Sequence, residues 1–170
     1  IYVFFSLYLD SLGYSKTMIG LLWAVSVIVE IGWFFTQSRW LPMLSLTGWL
    51  VLCSAAMVLR MGITASSASV LVALLLAQAL HAFTFATHHT VCIALLSHHF
   101  PGRLRGRGQA LYTVIAYGFP GVLGGLAGGV LSSKWGLASV FWSSIATSLI
   151  ATGCAFKVWR LQHPAVSAPG

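Results

Sequence analysis

Acidic side chains are almost missing from this chain. Asp10 and Glu30 are its only aspartate and glutamate in 170 residues. Charged residues of both signs make up 6% of the sequence, against about 25% in an ordinary soluble domain. So few charges cannot clothe a water-facing surface, and a soluble globular domain is excluded. Hydrophobic residues reach 58% and the mean hydropathy is +0.90, so the outer surface meets the lipid bilayer. The long unbroken apolar runs read as helices, and the expected class is an all-α, polytopic membrane helix bundle.

Other scarcities narrow the function. Cysteine occurs three times, at Cys53, Cys92 and Cys154, each within an apolar run. That spacing fits neither a disulfide framework nor a metal knot. A basic n-region of a signal peptide is absent, since the sequence opens at Ile1 directly in an apolar run. As a helix, 1–9 spans about 14 Å, less than half of a bilayer core. The first helix is therefore read as truncated and the chain as a fragment. The net charge of +7 forms no basic face, because the Lys and Arg side chains sit in short gaps between apolar runs. That excludes a nucleic-acid partner and fits a bias set during membrane insertion.

What is present divides the chain into six helical elements. The spans expected are 1–9 (partial), 17–38, 41–64, 70–97, 109–131 and 137–158, with 159–170 as a disordered cytoplasmic tail. Between them lie the polar turn DSLGYSK, the SRWLP stretch with Pro42 opening the third helix, TASSAS as a short turn, HHFPGRLRGRG, and SSKWG. One set of gaps, with the tail, holds Arg39, Arg103, Arg105, Arg107, Lys157 and Arg160, whereas the alternating set holds Lys16 and Lys134. Six against two places the C-terminus in the cytoplasm. In the fifth span Gly121, Gly125 and Gly129 repeat every four residues, as do Gly124 and Gly128, a ridge that lets a neighbouring helix approach closely.

Ionisable groups inside the membrane are costly, by about 2.5–3.5 kcal/mol on insertion scales, and normally face a cavity or a partner. Glu30, within SVIVEIGWFF, is one. A desolvated carboxyl poised between its two forms is suited to carry a coupling proton, and the alternative is a neutral glutamate that ties helices together. Arg60 is the second. It either snorkels to the outer interface or pairs with Glu30 or an anionic solute. In QALHAFTFATHHTVC, Gln78, His81, Phe85, His88 and Cys92 follow alternating spacings of three and four and share one helical face, with Thr84 beside them. Such a stripe should line the bundle interior, as solute contacts and proton carriers or as interhelical hydrogen-bond partners. His89 falls off the stripe, while His98 and His99 are interfacial. Trp23, Trp33 and Phe85 offer rings for stacking. Five histidines within nineteen residues raise a metal or haem, but they lie on one helix without carboxylate neighbours. One helical face cannot surround a metal, so neither a metal nor another cofactor is expected.

The residues GYSKTMIGLLWAVSVIVEI, MVLRMGI, QALHAFTFATHH and RGRGQALYTVIAYGFPGVLGGLAGG, followed by KWG, carry a resemblance. The chain resembles the C-terminal half, helices seven to twelve, of a major facilitator superfamily permease. It is most similar to the branch with the phenylpropionate permease, and more distantly to lactose permease and nucleoside–proton symporters. In lactose permease an arginine near the end of helix nine and a histidine in helix ten join the proton and sugar machinery, and Arg60 and His81 match those positions. The family's acid one turn further on is Thr84 here, a departure that leaves Glu30 as the titrating group. The resemblance implies a transporter of a small solute, not an enzyme, in a bacterial inner membrane, with an N-terminal six-helix half as partner. It implies proton symport of an organic solute such as an aromatic acid, with Glu30, His81 and Arg60 in proton coupling. Trp23, Arg60, Gln78, His81, Thr84, Phe85 and His88 would bind the solute. Sugar or nucleoside symport and drug or metabolite efflux are the readings on the same scaffold, and a histidine-rich membrane redox protein is the reading from another class.

Overall fold

The computed structural model describes residues 2–162, and among them it is helical with no strand. Helix α1 covers Tyr2–Ser11, α2 Lys16–Trp40 and α3 Leu46–Ser67. The next span is built from α4, Leu71–Ala82, a π-helical turn at Phe83–Thr87, and α5, His88–His99. A second span of the same design follows, with α6 at Arg105–Thr113, a π-helical turn at Val114–Gly118 and α7 at Phe119–Trp135. Helix α8, Ala138–Gln162, closes the fold. Five stretches are long and apolar enough to cross a membrane: Lys16–Met43, Leu46–Ser67, Leu71–His99, Gly102–Trp135 and Ala138–Gln162. With α1 they make the six helical elements expected.

The ends have local causes. Ser15 and Ser45 cap α2 and α3, their hydroxyls accepting from the backbone N–H of Met18 and Gly48 at 3.2 and 3.1 Å. Each satisfies a donor that the first helical turn leaves orphaned. Gly13 and Gly136 adopt φ of 87° and 80° at the turns after α1 and α7, a conformation that a side chain resists. Several expected boundaries move outward. Helix α2 runs to Trp40, and Pro42 lies in a 3-10 turn, Leu41–Met43, rather than opening α3. The TASSAS stretch is mostly the last turn of α3, because Thr64 and Ser66 bond back to the carbonyls of Arg60 and Gly62 and stay helical. Arg105 and Arg107 start α6 instead of lying in a loop. Helix α8 carries 159–162 of the expected tail, and the remainder of that tail lies outside the described residues.

The apolar core collects at one end of the bundle, where Phe5 and Leu9 of α1 meet Ile19 and Leu22 of α2, Met61 and Ala65 of α3, Leu74 of α4 and Phe141 of α8. Tyr14 fastens two turns there by donating to the Ala68 carbonyl at 3.0 Å. The most extensive helix pairing is α3 with α8, and α2 runs beside α4. By contrast, the 105–135 span sits at the periphery with most of its side chains exposed. A Cβ on Gly128 would run into the Phe4 ring of α1, whereas one on Gly121, Gly124, Gly125 or Gly129 meets nothing within 4 Å. Close packing on the glycine ridge is therefore confined to Gly128 among the described residues.

Candidate functional site

Arg60 is 6% exposed and does not snorkel. Its Nε donates to the Ala77 carbonyl at 3.0 Å, and its Nη2 donates to Gln78 Oε1 at 3.4 Å. Gln78, wholly buried, then donates from Nε2 to the Leu22 carbonyl at 3.2 Å. This chain of bonds crosses α3, α4 and α2 and fixes the plane of the guanidinium. A buried cation held only by neutral acceptors is still attractive to an anion. The expected pairing of Arg60 with Glu30 is absent, because the arginine's bonds are directed into α4. Among the described residues the single ion pair joins Lys16 to Asp10 at 2.6 Å, in the turn after α1.

The guanidinium borders a cavity of about 300 Å³ lined by Tyr2, Met57, Met61, His81, Thr84, Phe85, Ser144, Thr147 and Ser148 as well as Arg60. The rings in its wall are ordered. His81 stacks on Phe85, with centroids 5.5 Å apart, and meets Tyr2 edge-on at 5.8 Å. His81 is 6% exposed and its Nδ1 has no hydrogen-bond partner. A second cavity of about 340 Å³ adjoins it, sharing Met57, Thr84, Thr147 and Ser148, and His88, Cys53 and Ser54 line its far side. Of the residues expected to bind a solute, Arg60, His81, Thr84 and Phe85 come together on the first cavity and His88 on the second. Gln78 stands behind Arg60 as its support. Trp23 is not in either wall, since its indole donates to Ser6 Oγ at 3.1 Å and packs on Phe5 and Tyr2. Tyr2 takes the place expected of Trp23. Its position in the short first helix gave the sequence reading no cue.

The alternating three–four stripe is bent by the π-helical turn at Phe83–Thr87. A π turn holds more residues than an α turn, so the face shifts after it. Up to Phe85 the stripe holds. Beyond it, His89 rather than His88 continues the stack, lying 6.1 Å from Phe85 with ring planes 12° apart. Setting His89 off the stripe is thereby corrected. Its Nδ1 is 3.1 Å from the Tyr117 hydroxyl, which is 3.2 Å from that of Tyr112. Tyr117 lies in the other π turn, so these bonds tie that turn to the start of α5 and to the end of α6. Neither turn has a sequence signature that an α-helical periodicity detects.

Glu30 is half-buried on α2, in a region joined to the 71–99 span at several heights. Leu22 meets Gln78, Trp33 meets Phe83 edge-on at 5.4 Å, and Gln37 accepts from Thr90 at 2.9 Å. These pairs rise together, so α2 and the 71–99 span run parallel and Glu30 falls between them. Its carboxyl forms no ion pair with a Lys, Arg or His side chain among the described residues. Among the described residues no three His, Cys, Asp or Glu side chains converge as metal ligands. Cys53 is occupied in a weak bond to the Phe83 carbonyl at 3.6 Å.

Residues 1–144 match the model of the MFS_1 like family. No curated protein matches the chain, and no solved structure does. Buried charge, a cavity between membrane helices and a match over most of the sequence agree. The chain belongs to the MFS_1 like family, within the major facilitator superfamily of multi-pass membrane transporters.

Proposed function

We propose that this chain is one half of a proton-coupled symporter that moves a small organic acid, of the aromatic carboxylate class, by alternating access. The observation that carries this reading is the buried Arg60, oriented by Ala77 and Gln78 at the edge of a cavity walled by Tyr2, His81 and Phe85. Arg60 meets the carboxylate, the rings meet an aromatic body, and His81 Nδ1 accepts a donor from the solute or from water. A volume of about 300 Å³ suits a small ligand, at the lower end of the range for binding pockets, about 300–1,000 Å³. Sugar or nucleoside transport is less well served. Thr84, Ser144 and Thr147 already donate their hydroxyl protons to carbonyls of their own helices, so few donors are left for a polyol.

In this reading Glu30 carries the coupling proton, and a second six-helix half completes the cavity and rocks against this one in a bacterial inner membrane. Glu30, His89 and Tyr117 are each partly open in this chain, which supports such a companion, because ionisable groups avoid lipid. Proton binding that differs between inward- and outward-open states couples the gradient to the solute. Uptake of labelled 3-phenylpropionate by the intact permease, beside a sugar and a nucleoside and with or without a proton gradient, tests solute and coupling together. Glu30→Gln keeps shape and hydrogen bonding but cannot titrate. It should abolish gradient-driven accumulation while sparing downhill exchange. Wild-type accumulation by this variant would make Glu30 only a tie between helices.

A further inference from the structure

We propose that the seam between α3 and α8 holds one anionic phospholipid, its phosphate on Lys157 and Arg160 and an acyl chain in the apolar groove beside Gly48. The inference is independent of the solute and of its coupling. The two helices form the most extensive pairing of the bundle. They run antiparallel, so the first turns of α3 meet the last turns of α8. At that level an apolar groove of about 360 Å³ opens between them. Val51, Leu52 and Ala55 form its α3 side, and Phe156 and Trp159, with rings 5.6 Å apart, form its α8 side. Gly48 keeps the groove open where the helices come closest. A Cβ there would already touch the Trp159 indole nitrogen at 3.7 Å, so a larger side chain would fill the space. Phe156 also borders a second hollow, of about 380 Å³, that Lys157, Arg160 and Leu161 complete. An apolar groove thus runs on into a cationic one.

Charge decides the occupant. Lys157 and Arg160 are three residues apart, so they share one face of α8, and both are exposed. The chain has two carboxylates to offer them. Asp10 is paired with Lys16 at the opposite end of the bundle, and Glu30 on α2 forms no ion pair among the described residues. The anions that the surroundings supply at the end of a membrane helix are lipid phosphates. A zwitterionic phospholipid carries a cation beside its phosphate, which two neighbouring basic side chains repel, whereas an anionic headgroup carries none. A tail gains little by exchanging other tails for protein, because both are apolar. The groove therefore contributes fit, and the two cations contribute the preference for negative charge. A free phosphate would meet the cations and leave the groove unused. Arg103 and Arg105 stand apart from this seam, at the start of the peripheral span, where α6 packs on α5. The groove shares no lining residue with the two cavities around Arg60 and His88.

Native mass spectrometry of the intact permease in detergent, titrated with dioleoylphosphatidylglycerol and separately with dioleoylphosphatidylcholine, counts and ranks the bound lipid. One phosphatidylglycerol should bind ahead of any phosphatidylcholine. Lys157→Gln and Arg160→Gln should each weaken it about fivefold, the effect of one basic residue near an anionic surface. Ala55→Phe fills the groove at constant charge and should weaken it too. Arg103→Gln combined with Arg105→Gln should leave it unchanged. Equal binding of the two lipids overturns the proposal. So does a loss in the Arg103→Gln, Arg105→Gln protein as large as in Lys157→Gln with Arg160→Gln, since the effect would then belong to the charge of the whole end. Undiminished binding by Ala55→Phe, or displacement of the lipid by glycerol 3-phosphate, would make the ligand a phosphate without a seated tail and overturns the lipid as occupant. Lys157, Arg160 and Ala55 are exposed, so these variants should keep the wild-type unfolding temperature. Should Ala55→Phe not fold, Ala55→Leu fills the same groove and is read in the same way.

Discussion

A guanidinium inside hydrocarbon keeps its charge, so every donor that it spends on the protein is one fewer left exposed to lipid. Arg60 spends Nε on Ala77 and Nη2 on Gln78, and no shorter or rounder cation repeats that fork. Lysine carries the charge but cannot reach both acceptors with the same geometry. Arg60→Lys should lose about 1–3 kcal/mol of stability, through buried acceptors left unpaired. Thermal unfolding in detergent measures this. Arg60→Ala also removes the group that meets the carboxylate. Weaker binding of 3-phenylpropionate by about 2–5 kcal/mol, the usual effect of truncating one partner of a buried charged contact, is expected in equilibrium titration. Binding by Arg60→Ala that equals the wild type would remove Arg60 from the solute site.

Among elements, the peripheral 105–135 span separates two roles of glycine. Gly128 gives up its side chain to the Phe4 ring, while Gly121 and Gly124 face open space in this chain. Gly128→Val should therefore cost about 1–3 kcal/mol by overpacking against α1. Gly121→Ala and Gly124→Ala should be neutral or stabilising by up to about 1 kcal/mol, because alanine is the better helix former. Denaturation of the three variants side by side checks this contrast, and a Gly128→Val protein as stable as the wild type would contradict the packing. The same elements show what the sequence can and cannot reveal. The spans were legible because hydropathy and punctuation by Ser, Gly and Pro act locally. Arg60 and His81 were legible as inward-facing residues, both being buried, because rare polar groups in an apolar helix must turn inward. Tyr2 and His89 were not. Tyr2 reaches the cavity only through packing of α1 against α2 and α4. His89 follows Phe85 by the same four residues that separate Phe85 from His81, but the alternating three–four pattern takes the three-residue step there and singles out His88.

At the scale of the whole molecule, basic residues and polar turns define two ends. The apolar core lies at the end with Gly13, Ala68 and Gly136, where Lys16 pairs with Asp10. The opposite end carries Arg39, Arg103, Arg105, Arg107, Lys157 and Arg160. Retention of basic residues on the side of synthesis favours the second end as cytoplasmic. The helix order strengthens this, because both Gly102 and Gln162 follow spans that run away from the core end. A single cysteine at Gly102, in a background without Cys53, Cys92 and Cys154, should be labelled by an impermeant maleimide only after the membrane is opened. A cysteine at Ser133, close to the Gly136 turn, should be labelled in sealed right-side-out cells. Two sites separated by one span cannot both be reached from one side unless the Gly102–Trp135 stretch fails to cross. Equal labelling of the two positions from outside would therefore reject the five-span arrangement together with the orientation, whereas labelling exchanged between them would reverse the orientation and leave the helix bundle intact.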